Sequence, residues 1–182
     1  MSHSGTALLN PYKIFADIKL AKGMRVADLG CGRTGHFVFP AAKTVGDTGI
    51  VYGVDVMKDV LENIKSTARA EGCANVQTVW SDLERAGKTP LPPASVDACF
   101  FVNVLFQVKD KRSAIAEAAR LLKKQGHLVI IDWQKKLGML GPAPGQMLII
   151  DTLVDLAGQS MLKLAKQFQA SDYHFGLIFA KE

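Results

Sequence analysis

The chain predicts an α/β fold in which one open, doubly wound, mostly parallel sheet carries helices on both faces. Three observations carry this reading. Short β-branched apolar runs alternate with segments of helical periodicity, the pattern that builds parallel strands joined by crossover helices. Several of the runs are apolar along their whole length, as strands covered on both faces must be. The first run, roughly Arg25 to Leu29, also brings Asp28 to a glycine-rich turn, Gly30-Cys31-Gly32-Arg33-Thr34-Gly35, that leads into a helix-compatible segment. Glycines there let the backbone approach a ligand, and a helix N-terminus offers free N–H groups.

Taken in order, Leu8 to Lys19 has the spacing of an amphipathic helix, with Asn10 as N-cap and Pro11 in its first turn, lying over one rim of the domain. The first strand follows the turn Ala21-Lys22-Gly23-Met24. A helix from about Gly35 to Val45 comes next, with Pro40 marking a kink or a late start. Ile50 to Asp55 is a second buried strand that ends in an acid. Asp59 to Ala70 is a helix ended by Gly72, and Val76 to Trp80 is a third strand followed by Ser81-Asp82-Leu83. Val96 to Val102 is fully apolar after Asp97, hence central in the sheet, and Asn103 stands at its exit.

Asp110 caps a helix with Ile115, Ala118, Ala119 and Leu122 on its apolar face. Lys111, Arg112, Glu117 and Arg120 fall largely on the other face, and Gln125-Gly126 ends the helix. His127 to Asp132 is the fifth strand. Beyond Trp133 the pattern changes: Gly138 to Gly145 is a loop, and Met147 to Leu156 is a helix. Met161 to Phe168 fits a strand and a helix equally well. His174 to Ala180 is apolar on both faces and reads as an interior strand, although it lies at the C-terminus. The turn Ala170-Ser171-Asp172 is too short for a parallel crossover, so pairing across it must be antiparallel.

A length of 182 residues suits one domain, 1–182, with 1–20 as the N-terminal helix over the rim and 21–182 as the core. With 48% hydrophobic and 21% charged residues, long disorder is not expected. No apolar run is long enough to span a bilayer, and Met1-Ser2-His3-Ser4-Gly5 lacks a signal peptide's basic region and apolar core, so the expectation is a cytoplasmic protein without membrane insertion. Cys31, Cys73 and Cys99 form no Cys-x-x-Cys, and the four histidines have no ligand spacing, so no metal site is indicated. The net charge of +5 is scattered in short clusters such as Lys123-Lys124 and Lys135-Lys136. That is the pattern of a solvated surface rather than a nucleic-acid footprint.

Gly30-x-Gly32-x-x-Gly35, with Asp55 beyond it, also matches a dinucleotide fingerprint. Asp28 separates the candidates. A carboxylate about 5 Å from a pyrophosphate repels it by roughly 3 kcal/mol at an effective dielectric of about 20, whereas a ligand carrying a sulfonium and an ammonium is attracted. Arg33 argues mildly for phosphates, although an exposed-turn guanidinium is expected to be solvated. Asp82 reads equally as a turn or capping acid and as a ligand contact.

Together, Val26-Ala27-Asp28-Leu29-Gly30-Cys31-Gly32, Gly53-Val54-Asp55, Ser81-Asp82-Leu83, Ser95-Val96-Asp97, Ala119-Arg120-Leu121-Leu122-Lys123 and Gly126 resemble the class I S-adenosylmethionine-dependent methyltransferases, near the quinone-biosynthesis branch. The similarity runs from Leu8 to Lys181. It implies a Rossmann-like seven-stranded sheet of order 3-2-1-4-5-7-6 with the last strand antiparallel, which makes Met161 to Phe168 a strand. It also implies S-adenosylmethionine as cofactor. Asp28 and the Gly30-Cys31-Gly32 backbone would hold its methionine part, with Gly35 completing a turn in which Thr34 replaces the family's usual glycine. Asp55, followed by Val56, would meet the ribose, Asp82 with Leu83 the adenine, and Asn103 the methionine part or the acceptor.

If that strand order holds, Trp133, Tyr173 and His174 share the ligand rim and form either an acceptor wall or a cover for the core, with His174 the candidate base. Asn103-Val104-Leu105-Phe106 lacks the prolines of the motif used in amino-methylation of nucleic-acid bases. The short segment after Trp133 leaves the pocket open to a large or flat acceptor, small molecule or protein, or closed by a second subunit in a homo-oligomer. The rival readings are a nicotinamide-dependent oxidoreductase, disfavoured by Asp28, and a non-catalytic S-adenosylmethionine-binding module, disfavoured by acids at three strand ends.

Overall fold

The computed structural model describes residues 8–143 and 145–182; the N-terminal residues bearing on a signal peptide lie outside them. Five apolar runs form parallel strands, β1 (Arg25–Leu29), β2 (Ile50–Asp55), β3 (Val76–Trp80), β4 (Val96–Val102) and β5 (Leu122–Trp133). The chain then returns through β6 (Leu162–Ser171) and β7 (His174–Lys181), giving one sheet of order β3-β2-β1-β4-β5-β7-β6. β7 is antiparallel to both of its neighbours. Its interior position explains why His174 to Phe179 are buried throughout. The ring of Phe168 on β6 lies over Gly176 on β7, filling the space that a side chain there would take.

Strand alternation sends side chains to two cores. One face lies under α1 (Pro11–Asp17), α2 (Val38–Val45) and α3 (Lys58–Ala70), where Phe15, Phe37 and Phe100 meet with ring centroids 5.6–5.8 Å apart. The other lies under α4 (Lys111–Leu121) and α5 (Ile150–Gly158), which cover Phe101, Leu128, Ile130, Phe175 and Phe179. Asn10 caps α1, its Oδ1 accepting from the Tyr12 and Lys13 N–H groups. Asp17 at the other end pairs with Lys166 on β6 at 2.7 Å.

Several boundaries differ from the sequence reading. α2 starts at Val38, so Pro40 sits in the first turn, where its missing N–H costs no helical bond; a late start, not a kink, is the outcome. α4 ends at Leu121, and Leu122 already pairs with Val96 as the first residue of β5. The chain passes from helix to strand without using Gln125-Gly126 as a stop. α5 begins at Ile150 rather than Met147.

Glu117 is the larger correction. It does not face solvent but is completely buried on the inner side of α4. Its carboxylate accepts hydrogen bonds from the Gly87 and Thr89 N–H groups and from Arg120, whose guanidinium also donates to the Thr89 and Leu91 carbonyls. The Ser81 and Thr89 hydroxyls, 2.8 Å apart, complete this bracket, which ties the β3–β4 loop to α4. Burial alone would raise the Glu117 carboxyl; the hydrogen bonds outweigh it and hold it at about 2. This contribution to stability is therefore present above the ordinary carboxylate range and is lost as pH falls toward 2. Glu117→Ala should lower stability by about 3 kcal/mol, since it leaves the half-buried Arg120 guanidinium without its counter-charge and two N–H groups unmatched. A urea midpoint unchanged from the parent would contradict this account of the bracket.

Candidate active site

The carboxyl ends of β1 to β5 share one edge of the sheet, and β7 starts there because Trp133 pairs with His174. β1 leads to α2 on one face and β4 to α4 on the other, so the crevice between β1 and β4 is where such sheets take ligands. The glycine turn lies at its mouth. Gly30 has φ 82°, and a Cβ there would meet Val104 at 2.6 Å, so both backbone and space require glycine. Gly32 also has positive φ, 63°, but nothing lies within 4 Å of where its Cβ would be. The turn is packed behind and open in front.

Two acids flank it. Asp28 lies in the sheet between Gly53 and Phe100 and is 4% exposed. The described residues supply no hydrogen bond to its carboxylate. Burial first, and the nearby Asp55 charge second, raise it to about 7. Asp55 is held more tightly: Oδ2 accepts from the Gly32 N–H at 3.2 Å and Oδ1 from the Met57 N–H at 3.0 Å. The sequence-predicted pair of Gly32 and Asp55 is thus brought together, and the acid locks the glycine turn to the end of β2.

The remaining cofactor candidates divide by what their side chains do. Cys31 points into the core beside Gly53, while its N–H and that of Gly30 both donate to the Val54 carbonyl. Leu83 is likewise a core residue. Asp82 acts as a turn acid, accepting from the Glu84 N–H and lying 3.8 Å from Arg85. Val56 is exposed at the rim, and its carbonyl accepts from the Trp80 indole. Gly35 has φ 58° and abuts Phe39 and Ile64. Arg33 is not simply solvated: its guanidinium pairs with Asp59 in the first turn of α3.

Asn103 is the most unusual residue of the rim. Its φ is 58°, and neither the oxygen nor the nitrogen of its buried amide has a partner among the described residues. Its backbone is fixed on both sides, the N–H donating to Ile131 and the carbonyl accepting from Gln107. Backbone strain and an unmatched buried amide are features that cluster at ligand sites. Behind it, Asp132 accepts from the Phe106 and Trp133 N–H groups and holds the turn that carries Asn103 and Val104. Burial raises Asp132 to about 7.

Trp133 and His174 meet as predicted, ring centroids 4.3 Å apart, both buried. His174 Nδ1 lies 2.8 Å from the Ser171 hydroxyl, and Nε2 has no partner among the described residues; burial lowers its pKa to about 4, so the ring is neutral at pH 7. Tyr173 stands apart from this pair, with Lys135 Nζ 5.0 Å above its ring. Sequence reasoning missed Trp80, half exposed beside Asp55 in the strand register, and the contact of Val104 with Gly30. The signal for Trp80 was its place at the end of an edge strand; the Val104 contact left none. Among the described residues, no cluster of His, Cys, Asp or Glu could hold a metal ion.

The topology defines a class, the Rossmann-like methyltransferase sheet with an antiparallel last strand inserted beside the fifth. Residues 20–171 match the family model described as "Methyltransferase domain", and the chain belongs to that family. It is 33% identical over 106 residues to an aklanonic acid methyltransferase of Streptomyces sp., covering 58% of this chain and 46% of that protein. With a demethylmenaquinone methyltransferase of Staphylococcus aureus it shares 34% over 121 residues, 66% of this chain and 47% of that one. The chain thus matches about half the length of these relatives. A crystal structure of a methyltransferase from Aquifex aeolicus has the same fold, with a TM-score of 0.86 at 24% identity over 100% of this chain and 94% of that one.

Because folding raises the Asp28 pKa above its ordinary value, the protonated form is favoured and stability falls as pH rises through about 7. Asp28→Asn should therefore raise stability at pH 8 by on the order of 2 kcal/mol and flatten its slope between pH 5 and 8, a range of about three units. Denaturant titrations across that range check this; an unchanged slope would contradict it.

Proposed function

We propose that this chain transfers the methyl group of S-adenosylmethionine to a flat, largely apolar small molecule. The reading is carried by the two acids at the glycine turn: Asp28, buried without a partner among the described residues, is suited to a cationic ligand and unsuited to a pyrophosphate. The ligand's own contribution is an activated methyl group on a sulfonium. Asp28, the Gly30-Cys31-Gly32 backbone and Gly35 would hold its methionine part, and the unmatched amide of Asn103 would complete that end of the site. Asp55, with Val56 beside it, would receive the ribose hydroxyls, and Asp82 with Leu83 would border the adenine.

The acceptor would lie along the rim toward Trp133, Tyr173 and His174. Positioning an acceptor atom about 3 Å from the methyl group supplies much of the rate enhancement without a strong acid or base. His174, neutral at pH 7 and with Nε2 unmatched but fully buried beside Trp133, would take a proton from a hydroxyl or acidic carbon only where the acceptor reaches past that ring. Relatives named for aklanonic acid and demethylmenaquinone support an acceptor of this flat class.

Calorimetric titration with S-adenosylmethionine, S-adenosylhomocysteine and NAD tests the cofactor. Both adenosyl ligands should bind and NAD should not. Asp55→Ala should weaken binding by about 1–3 kcal/mol through lost charge-assisted hydrogen bonds. Tight NAD binding with no response to S-adenosylhomocysteine would overturn the proposal.

A further inference from the structure

The segment that follows β5 ends in a fixed, apolar apex. Leu137 and Leu140 exchange two backbone hydrogen bonds, of 3.2 and 2.9 Å, that close a tight turn with Gly138 and Met139 at its tip. Gly138 takes φ 57°, as such a tip requires. Met139 is 98% exposed, whereas turn tips ordinarily carry glycine or small polar residues. At the base, Gly141 packs against the Trp133 ring and Lys135 lies over Tyr173, so the turn is anchored to the rim. From Gln134 to Ile149 the chain has two lysines, Lys135 and Lys136, and no acid.

The apex is not an isolated exposure. Val56 and Met57 follow β2, Trp80 ends β3, and Ile149, 68% exposed, opens α5 as it leaves the same edge. Leu8 and Tyr12 lie at the start of α1, near this edge because the Leu9 carbonyl meets the His36 ring at 3.0 Å. Met161, before β6, lies at the opposite edge. Exposed apolar side chains among the described residues thus gather on the side where the ligand turn opens.

We propose that this rim docks on an anionic lipid surface, with Met139 and its flanking leucines entering the headgroup layer and Lys135 and Lys136 meeting lipid phosphates. The choice of occupant rests on charge: the apex is flanked by Lys135 and Lys136, with no acid from Gln134 to Ile149, which complements an anionic surface. An apolar wedge beside basic residues combines the two contributions from which reversible attachment is built, buried apolar area and attraction to anionic lipid. No helix among the described residues is long and apolar enough to cross a membrane, so the contact is peripheral. Docking would place the open rim against the layer from which apolar molecules partition. Only this last benefit rests on the proposed methyl transfer; the docking itself does not.

The test is co-sedimentation of the full chain with phosphatidylcholine vesicles, with and without phosphatidylglycerol, at low and high salt. Binding should require phosphatidylglycerol and fall at high salt. Met139→Asp should weaken it by about tenfold and Lys136→Glu by about fivefold. Both variants should bind S-adenosylhomocysteine like the parent, which separates docking from the cofactor site: vesicle binding without S-adenosylhomocysteine binding would overturn the cofactor reading and leave docking standing. No binding to anionic vesicles, or equal binding by the variants, overturns the proposal. So does a concentration-dependent dimer that Met139→Asp abolishes while vesicle binding is absent, because the turn would then belong to a second copy.

Discussion

Asp28 is a carboxylate taken out of water beside a second carboxylate, and the site is arranged around that conflict. Burial and the Asp55 charge both favour its protonated form, so in the free protein it opposes folding at neutral pH. A chain that only needed a stable sheet would place an apolar residue there, as it does at Val26 and Leu29. The acid becomes favourable when a cation lies in front of it. The open face of Gly32, the strained Asn103 and the fixed Asp55 all border the same turn.

The rest of the fold pins that turn down. Val104 backs Gly30, Asp132 holds the segment carrying Val104, and Asp55 bonds to Gly32. Glu84 accepts from the Lys109 and Asp110 N–H groups, linking the loop after β3 to the start of α4. The Glu117 bracket fixes the other end of that loop. β7 between β5 and β6 gives the distal half of the sheet a buried centre and delivers His174 to Trp133. These polar contacts sit at strand ends, where the backbone leaves the ladder and needs partners.

The strands were legible because buried parallel strands are apolar throughout, and their acids at Asp28, Asp55 and Asp132 stood out at the ends. Met161 to Phe168 was ambiguous for a physical reason. β6 is an edge strand, partly exposed and interrupted by register shifts, so its alternation is weak; resemblance, not periodicity, assigned it. Glu117 was misplaced although its position was readable, since it lies three residues after Ala114 and four before Leu121, both buried on the same stripe. What the chain could not reveal was its partners, the N–H groups of a loop 28 and 30 residues away. The strain at Asn103 and the contact of Val104 with Gly30 likewise depend on tertiary packing that leaves no local pattern.

To accommodate a cationic ligand, Asp28 should give up a proton. Calorimetry of S-adenosylmethionine binding at about pH 6.5, in buffers of different ionisation enthalpy, measures protons exchanged on binding, because an α-amino group of pKa about 7.7–8.0 is already protonated there. Net proton release is expected on binding by the parent and none by Asp28→Asn. Proton uptake by the parent, or the same release from both proteins, would contradict it.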